Sequence, residues 1–182
     1  GQCTGERPLV ILDELSGGRM IVGLGTSGPQ VIEHFHGVKF DPPLTRMKEY
    51  IEIINTLMRN EPLKHSGKVF NLQRGFTLRF NPVRNHIPIY LATLNAKSVK
   101  LTAELADGWL PVMIPLPKLK GEIEAIRKMS VAAGRPANAV AVRSPGTTTV
   151  TKNIDKARAE TAGTLAFYIG RMGTFYAGQL TR

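Results

Sequence analysis

The 182-residue sequence contains little cysteine and no long apolar run. Because Cys3 is the only cysteine, the sequence can form neither an internal disulfide nor a cluster of thiolate metal ligands, which is typical of a reducing compartment. No stretch reaches the ~18 apolar residues of a membrane span, and Gly1–Pro8 lacks the apolar core of a signal peptide. We therefore expect a cytoplasmic protein with no membrane partner.

Acidic residues are also scarce, because 14 Asp and Glu face 24 Lys and Arg, a net charge of +10. Such an excess of positive charge suggests that the protein could bind a polyanion such as a nucleic acid. The basic residues are scattered, however, and Phe70, Phe76 and Phe80 follow strand spacing instead of alternating with them. We expect no nucleic-acid partner and a small ligand that carries phosphate, and a non-catalytic basic binding protein stays as an alternative of another class.

Four strand-then-helix units follow one another along the chain. The predicted strands are Met20–Gly25, Ile87–Ala92, Trp109–Ile114 and Ala139–Val142. The predicted helices run over Thr45–Arg59, over Ala96–Ala106, from about Leu119 to a stop at Gly134, and from about Asp155. A β-hairpin is inserted after the first unit, with strands Lys64–Phe70 and Phe76–Phe80 on either side of a turn at Asn71–Gly75.

Repeated units of this kind predict parallel strands, either in an open doubly wound sheet or in a closed (β/α)8 barrel. Four units are about half of such a barrel, which typically needs ~250 residues. The chain begins with an apparent helix and ends without a stop signal, so we expect residues 1–182 to be one partial TIM-barrel domain, truncated at both ends. Its unpaired sheet edges predict poor stability of the isolated chain.

Glycines surround the first predicted strand. Gly17 and Gly18 can end the preceding helix, and Met20–Leu24 is short and uniformly apolar, which predicts a strand buried on both faces. Gly25 and Gly28 then allow a sharp turn and a close approach to a ligand. An ordinary turn between a strand and a helix is the alternative interpretation.

The second unit offers an anion site. After the predicted strand, Thr93–Asn95 leads into a helix whose first turn has unpaired N–H groups and the positive end of the helix dipole. The hydroxyls of Thr93 and Ser98 can add hydrogen bonds, and Lys97 can add charge. A role of Asn95 as N-cap explains this residue equally well, and both roles are compatible.

Several motifs together resemble the luciferase-like family of flavin- or deazaflavin-dependent oxidoreductases. They are Leu12–Arg19, Gly23–Pro29, Pro88–Ala92 and Ala106–Leu110, at the family's spacing. Ser27–Pro29 is most similar to the branch that uses coenzyme F420, a deazaflavin hydride carrier, and FMN-dependent monooxygenases are the alternative. The resemblance implies a TIM barrel in which the four predicted strands are the fourth to the seventh.

The resemblance also implies a function and a site. It implies hydride transfer between coenzyme F420 and a small organic substrate, and a homodimer of the full-length protein. The family holds the cofactor's phosphate at the turn after the second strand, although it usually has a glycine where Asn95 stands. The implied cofactor-binding residues are Gly25, Thr26, Ser27, Gly28, Ala92, Thr93, Leu94, Asn95 and Ser98.

No catalytic residue is assigned, because the acid or base is expected on the absent early strands, without which this fragment alone would be inactive. A metal site is not expected, since His34 and His36 lie two residues apart and no third ligand is evident. Asp107–Trp109 is interpreted as structural, with Asp107 ordering a turn and Trp109 starting a buried strand. His65 and His86 are interpreted as surface residues.

Overall fold

The computed structural model describes residues 6–78, 82–144 and 148–171, together with residues 176 and 178. Helices and strands follow one another in the order α1 (Glu6–Leu15), β1 (Val22–Gly25), α2 (Pro29–Ile32), α3 (Pro43–Met58), β2 (Leu63–Ser66), β3 (Asn71–Phe76), β4 (Ile89–Ala92), α4 (Ala96–Leu105), β5 (Gly108–Trp109), α5 (Leu116–Ala132), β6 (Ala141–Val142) and α6 (Ile154–Arg171).

The strands β1, β4, β5 and β6 form a parallel sheet in that spatial order. Gly25 lies opposite Ala92, and Trp109 lies between Leu91 and Val142. The helices α3, α4 and α5 supply the long connections that parallel strands require. The predicted succession of four strand-then-helix units is confirmed, and it places the carboxyl ends of β1 and β4 side by side.

The strands are shorter than the sequence predicts. β5 ends at Trp109 instead of Ile114, because Pro111 has no N–H for a ladder and Met113 has a positive φ of 55°. β6 begins at Ala141 instead of Ala139, since the Ala139 N–H turns back to the carbonyl of Pro136.

The helices on one side of the sheet enclose two apolar clusters. The larger cluster joins α1, β1, α3, β4 and α4 through Val10, Val22, Met47, Ile51, Ile54, Met58, Ile87, Ile89, Leu91, Leu101 and Ala106. The smaller cluster lies between α4 and α5 and surrounds Trp109, which is fully buried. Because α4 contributes to both clusters, its position is fixed from two sides.

The prediction that the first strand is buried on both faces is wrong. Val22 is 3% exposed, but the neighbouring Ile21 is 53% exposed, and Gly23 and Gly25 are exposed as well. Val22 and Leu24 face the larger apolar cluster, whereas Ile21, Gly23 and Gly25 lie on the second, opposite face of β1, which that cluster does not cover.

That second face carries the smallest residues of the sheet. Side chains alternate along a strand, so Gly23 and Gly25 share a face with Tyr90 and Ala92, which lie opposite them on β4. Gly108 of β5 lies opposite Tyr90 on the other side. We call these five residues the glycine face.

The hairpin insertion is confirmed, but its turn is not where the sequence predicted it. β2 and β3 are antiparallel with Ser66 opposite Asn71, so residues 67–70 form the turn. The predicted turn at Asn71–Gly75 is wrong, because these residues belong to β3. Phe80, predicted in the second strand, lies outside the described residues.

Glu49 of α3 explains the position of this turn. Its carboxylate is largely buried and accepts hydrogen bonds from the N–H groups of Lys68, Val69 and Phe70 at 2.7 to 3.2 Å. His65 Nε2 lies 3.4 Å from Glu49 Oε2, and the His65 side chain is 14% exposed, so its interpretation as a surface residue is wrong. Burial alone raises the pKa of Glu49, but the three N–H donors and His65 together hold that pKa below its ordinary value.

The predicted helix ends are confirmed. After α1, the N–H of Gly18 bonds to the carbonyl of Asp13 at 2.8 Å, and Gly17 and Gly18 have φ of 62° and 79°. After α5, Gly134 has φ of 76°. At both sites glycine takes a left-handed backbone that other residues adopt at a cost.

An ion pair ties α1 to the segment before β4. Arg84 donates from Nε and Nη2 to the two carboxylate oxygens of Asp13 at 2.9 and 2.7 Å. Asp13 is 1% exposed and also accepts the N–H of Met20 at 3.2 Å. Arg84 Nη2 donates in addition to the Met20 carbonyl. The pair therefore holds together three segments that are distant in sequence.

Candidate functional site

A cavity of about 730 Å³ lies where the carboxyl ends of β1 and β4 meet. It is formed by the loop after β1, the start of α3, the turn after β4 and the first turn of α4. The structure brings together all nine predicted cofactor-binding residues here, and the lining includes Gly25, Thr26, Ser27, Gly28, Ala92, Thr93, Leu94, Asn95 and Ser98.

The loop after β1 forms one wall of the cavity. Ser27 has a positive φ of 56°, and Gly28 then serves as the N-cap of the short helix α2. The carbonyl of Gly28 accepts the N–H groups of Val31 and Ile32 at 3.1 and 3.0 Å. The polar loop therefore turns sharply and exposes Gly25 at the edge of the cavity.

The start of α4 forms the opposite wall. Asn95 Oδ1 accepts the N–H of Ser98 at 3.0 Å, and Ser98 Oγ accepts the N–H of Asn95 at 3.2 Å, which is a capping box. The prediction that Asn95 is the N-cap is confirmed. Within the described part of the chain, the N–H groups of Ala96 and Lys97 at the first two helical positions keep no intrahelical acceptor.

The hydroxyls of Thr93 and Ser98, which were predicted to bind an anion, already donate their protons within the protein. Thr102 Oγ1 donates to the carbonyl of Ser98 at 3.0 Å, so in the 2.7 Å contact between Thr93 and Thr102 the donor is Thr93. Ser98 Oγ donates to the carbonyl of Asn95 at 2.9 Å. A hydroxyl has one proton to give. Donors for an anion are therefore the backbone N–H groups of Ala96 and Lys97 and the exposed Lys97 ammonium.

Lys97, predicted to add charge to the anion site, also lines this cavity. Further lining residues were not predicted, namely Gln30, Val31, Phe40, Pro43, Leu44, Ala96 and Tyr176. Phe40 lies in the connection between α2 and α3, which has no periodic pattern, so the sequence carries no signal that this residue returns to the sheet edge. Ala96 was missed because its contribution is a backbone N–H, which no side-chain motif reveals.

A second, smaller cavity of about 290 Å³ adjoins the first. Both cavities are lined by Gly25, Thr26, Phe40 and Pro43. The rest of the smaller lining is mostly apolar and comes from β1, α2, α3 and the hairpin, namely Leu24, Ile32, Arg46, Met47, Tyr50 and Phe70.

The interpretation of Asp107–Trp109 as structural is confirmed. Asp107 Oδ2 accepts the N–H of Ile89 at 2.8 Å and lies 2.8 Å from His86 Nε2. Trp109 Nε1 donates to the carbonyl of Thr93 at 3.0 Å. This bond holds the turn after β4 against the buried Trp109 side chain. His86 is 44% exposed, in agreement with its prediction as a surface residue.

His34 and His36 are exposed beyond α2. Among the residues that the structure describes, no three His, Cys, Asp or Glu side chains gather in a metal-binding group. In the same part of the chain, no helix is both long enough and apolar enough to cross a bilayer.

The sequence profile of the luciferase-like monooxygenase family matches residues 8–182. The chain belongs to this family. A Mycobacterium tuberculosis protein whose name places it among coenzyme F420-dependent oxidoreductases is 41% identical over 121 residues, which cover 60% of this chain and 35% of that protein. The 5,10-methylenetetrahydromethanopterin reductase of Archaeoglobus fulgidus is 33% identical over 159 residues, which cover 87% of this chain and 46% of that protein.

A solved structure shares this fold. The coenzyme F420-dependent tetrahydromethanopterin reductase from Methanopyrus kandleri superimposes with a TM-score of 0.79 at 22% identity, covering 90% of this chain and 51% of that chain. The prediction of an α/β fold that forms part of a luciferase-like TIM barrel is confirmed. The chain thus spans about half the length of the luciferase-like proteins it matches, or less.

Proposed function

We propose that the protein binds coenzyme F420 in the larger cavity and transfers hydride between this deazaflavin and a small organic substrate. The observation that carries the proposal is the meeting, around one cavity, of the loop after β1 and the capped start of α4. The named relatives that use or are assigned coenzyme F420 support the choice of cofactor. Since the chain spans 35% and 46% of its two named curated relatives, the activity is proposed for the whole protein.

We propose that the start of α4 holds the phosphate of the cofactor. A phosphate accepts hydrogen bonds and favours the positive end of a helix dipole. The N–H groups of Ala96 and Lys97 and the Lys97 ammonium supply these interactions, while Asn95, Ser98 and Thr93 hold the turn in shape. The family usually has glycine where Asn95 stands. The larger Asn95 side chain does not block the phosphate, because it bonds back to the N–H of Ser98.

The ring system is assigned to the edge formed by Gly25 and Ala92. These residues lie opposite one another at the strand ends, and neither has a side chain larger than a methyl group. A flat ring can approach such a surface closely. Bound coenzyme F420 supplies the hydride chemistry, and this part of the chain positions the ring and anchors the phosphate.

Replacing Ala96 by proline isolates the backbone donor. Proline is tolerated at the first helical position, and Asn95 before it already has the extended backbone that proline demands, with φ of −94° and ψ of 159°. A96P therefore keeps α4 and removes one N–H. We expect affinity for F420 to fall about 10-fold, as for loss of one charge-assisted hydrogen bond, measured by calorimetric titration.

Matched variants at two lysines test the charge. K97M removes an ammonium at the cavity and should weaken F420 binding, whereas K100M removes an exposed ammonium that pairs with Glu104 at 3.8 Å and should leave it unchanged. Equal effects of the two lysine variants would contradict a specific anchor.

FMN also carries a phosphate, so an FMN-dependent monooxygenase is the second candidate. Titration of the protein expressed from its complete gene with F420 and with FMN decides between the two cofactors. Binding of neither, together with salt-sensitive binding of RNA, would instead favour the basic binding protein and refute the enzyme. A homodimer and a cytoplasmic location stay predictions, which sedimentation of the whole protein and cell fractionation test.

A further inference from the structure

The smaller cavity is lined by aromatic rings and one cation. Phe40, Tyr50 and Phe70 come from three different segments, and the rings of Tyr50 and Phe70 are 6.4 Å apart. Arg46, one turn into α3, is the charged residue in the lining. The volume of the cavity, about 290 Å³, is just below the ~300–1,000 Å³ that ligand cavities usually have.

The guanidinium of Arg46 is incompletely hydrogen-bonded within the described residues. Its Nη2 donates to the carbonyl of Lys39 at 3.2 Å. Its Nε is buried and has no hydrogen-bond partner among the described residues. A buried guanidinium N–H without an acceptor is costly, and a carboxylate is the group whose geometry best satisfies it.

We propose that this cavity takes the substrate, and that the substrate is a carboxylate with an aryl or similarly bulky apolar body. The rings of Phe40 and Phe70 contact the apolar body, and the Arg46 guanidinium pairs with the carboxylate. The inference rests on the proposed function, because the residues shared by the two cavities, Gly25, Thr26, Phe40 and Pro43, bring this ligand next to the assigned position of the cofactor ring.

The apolar lining distinguishes this cavity from the phosphate anchor. A polyanion or a highly hydrated group would lose its water here without enough donors to replace it. A single carboxylate is matched by a single guanidinium, and the apolar body gains from burial against the rings.

The test uses the protein expressed from its complete gene, saturated with F420, and three probes. 4-Phenylbutyrate has both the apolar aryl group and the carboxylate, 4-phenylbutan-1-ol has the aryl group without the carboxylate, and acetate has the carboxylate without the aryl group. We expect 4-phenylbutyrate to bind at least ~10-fold more tightly than either other probe by calorimetric titration, as for one buried charge-assisted hydrogen-bonded pair.

Variants then assign the discrimination to Arg46. R46M should weaken 4-phenylbutyrate to the level of the alcohol and leave the alcohol unchanged, and R46K should keep part of the preference. R74M removes an exposed arginine of β3 outside the cavity lining and should change neither titration. Melting temperature and F420 affinity, measured for each variant, show that R46M is folded.

Three results would overturn the proposal: equal binding of acid and alcohol to the wild-type protein, retention of the acid preference in R46M, or competition between 4-phenylbutyrate and F420. The last result would assign Arg46 to the cofactor. The proposed function fails separately, by absence of F420 binding in the first titration. A separate titration of 4-phenylbutyrate into the protein without F420 tests the cavity independently of the cofactor.

Discussion

Gly108 is the residue on which the packing of the glycine face depends. The Tyr90 ring lies against it, and a Cβ added at Gly108 would overlap that ring. Both residues belong to paired strands and cannot move apart without breaking the ladder. The absence of a side chain at this position is therefore a packing requirement and not a requirement of backbone conformation.

We expect G108A to destabilise the protein by about 1–3 kcal/mol, the usual range for overpacking. Chemical denaturation followed by circular dichroism measures this change. G121A is the matched control, because Gly121 lies within α5 with open space around it and alanine is the better helix former. A neutral G108A would mean that the Tyr90 ring has another position to occupy.

Glu49 gives the protein a defined response to acid. Because its pKa is lower in the folded than in the unfolded state, the carboxylate stabilises the fold fully above its ordinary pKa near 4.5. As pH falls below that value, the unfolded state takes up the proton first, and the stabilisation is lost as pH approaches the lower folded pKa.

E49Q should remove much of this acid dependence. At neutral pH it also replaces one acceptor oxygen by an amide that faces N–H donors, which we expect to cost about 2–4 kcal/mol. Urea unfolding at a series of pH values measures both effects. E52Q, which removes an exposed acid paired with Lys48 at 3.8 Å, should change stability by less than about 0.5 kcal/mol and leave the acid slope intact.

At the scale of elements, the ion pair of Asp13 and Arg84 links α1 to the segment that enters β4. Removing Asp13 leaves the Arg84 side chain, which is only 27% exposed, without its carboxylate and the Met20 N–H without its acceptor, which costs about 3 kcal/mol, the lower end for a broken buried pair. We expect D13A to show this loss in thermal unfolding.

The exposed pair of Arg59 and Glu61 provides the comparison. It has the same two-bond geometry, at 2.9 Å for each bond, but both side chains are about half exposed. R59A should therefore cost less than about 1 kcal/mol. Similar losses in D13A and R59A would show that burial of the first pair does not matter.

The elements that local patterns determine were predicted well. α3 and α5 follow from apolar residues at three- and four-residue steps and from Gly134, and Asn95 with Ser98 marks the start of α4. The hairpin turn was misplaced because Asn71 and Gly75 are typical turn residues, whereas Glu49, about 20 residues earlier in the chain, holds residues 68–70 instead. Such a contact between distant residues leaves no local pattern.

At the scale of the molecule, β1 and β6 are the edge strands of the described sheet, and each pairs with a neighbour on one side only. Large apolar side chains are also exposed, among them Leu15, Phe35, Leu116 and Val150 at 78% to 98%. Open strand edges and exposed apolar surface favour association.

We therefore expect the 182-residue chain, produced by itself, to associate or to unfold without a cooperative transition. Sedimentation velocity and calorimetry measure the two properties. The protein expressed from its complete gene is the control. A monomeric chain with one sharp transition would contradict this expectation.

The site was predicted in its outline, because parallel strands bring their carboxyl ends together and the two glycine- and asparagine-containing turns follow neighbouring strands. The roles within the site were less predictable. Thr93 and Ser98 have the right chemistry for an anion, but their protons are used by Thr102 and Asn95. Only the three-dimensional network distinguishes a free hydroxyl from an occupied one.

The use of backbone N–H groups at the start of α4 has a consequence for evolution. Every residue except proline carries the same N–H, so the side chain at position 96 is free to diverge while the proposed phosphate contact through its N–H persists. Substitutions at Asn95 or Thr102 touch no ligand but change the shape of the turn. In a comparison of distant homologues, the supporting residues would therefore be retained more strictly than Ala96, which contributes only its backbone N–H.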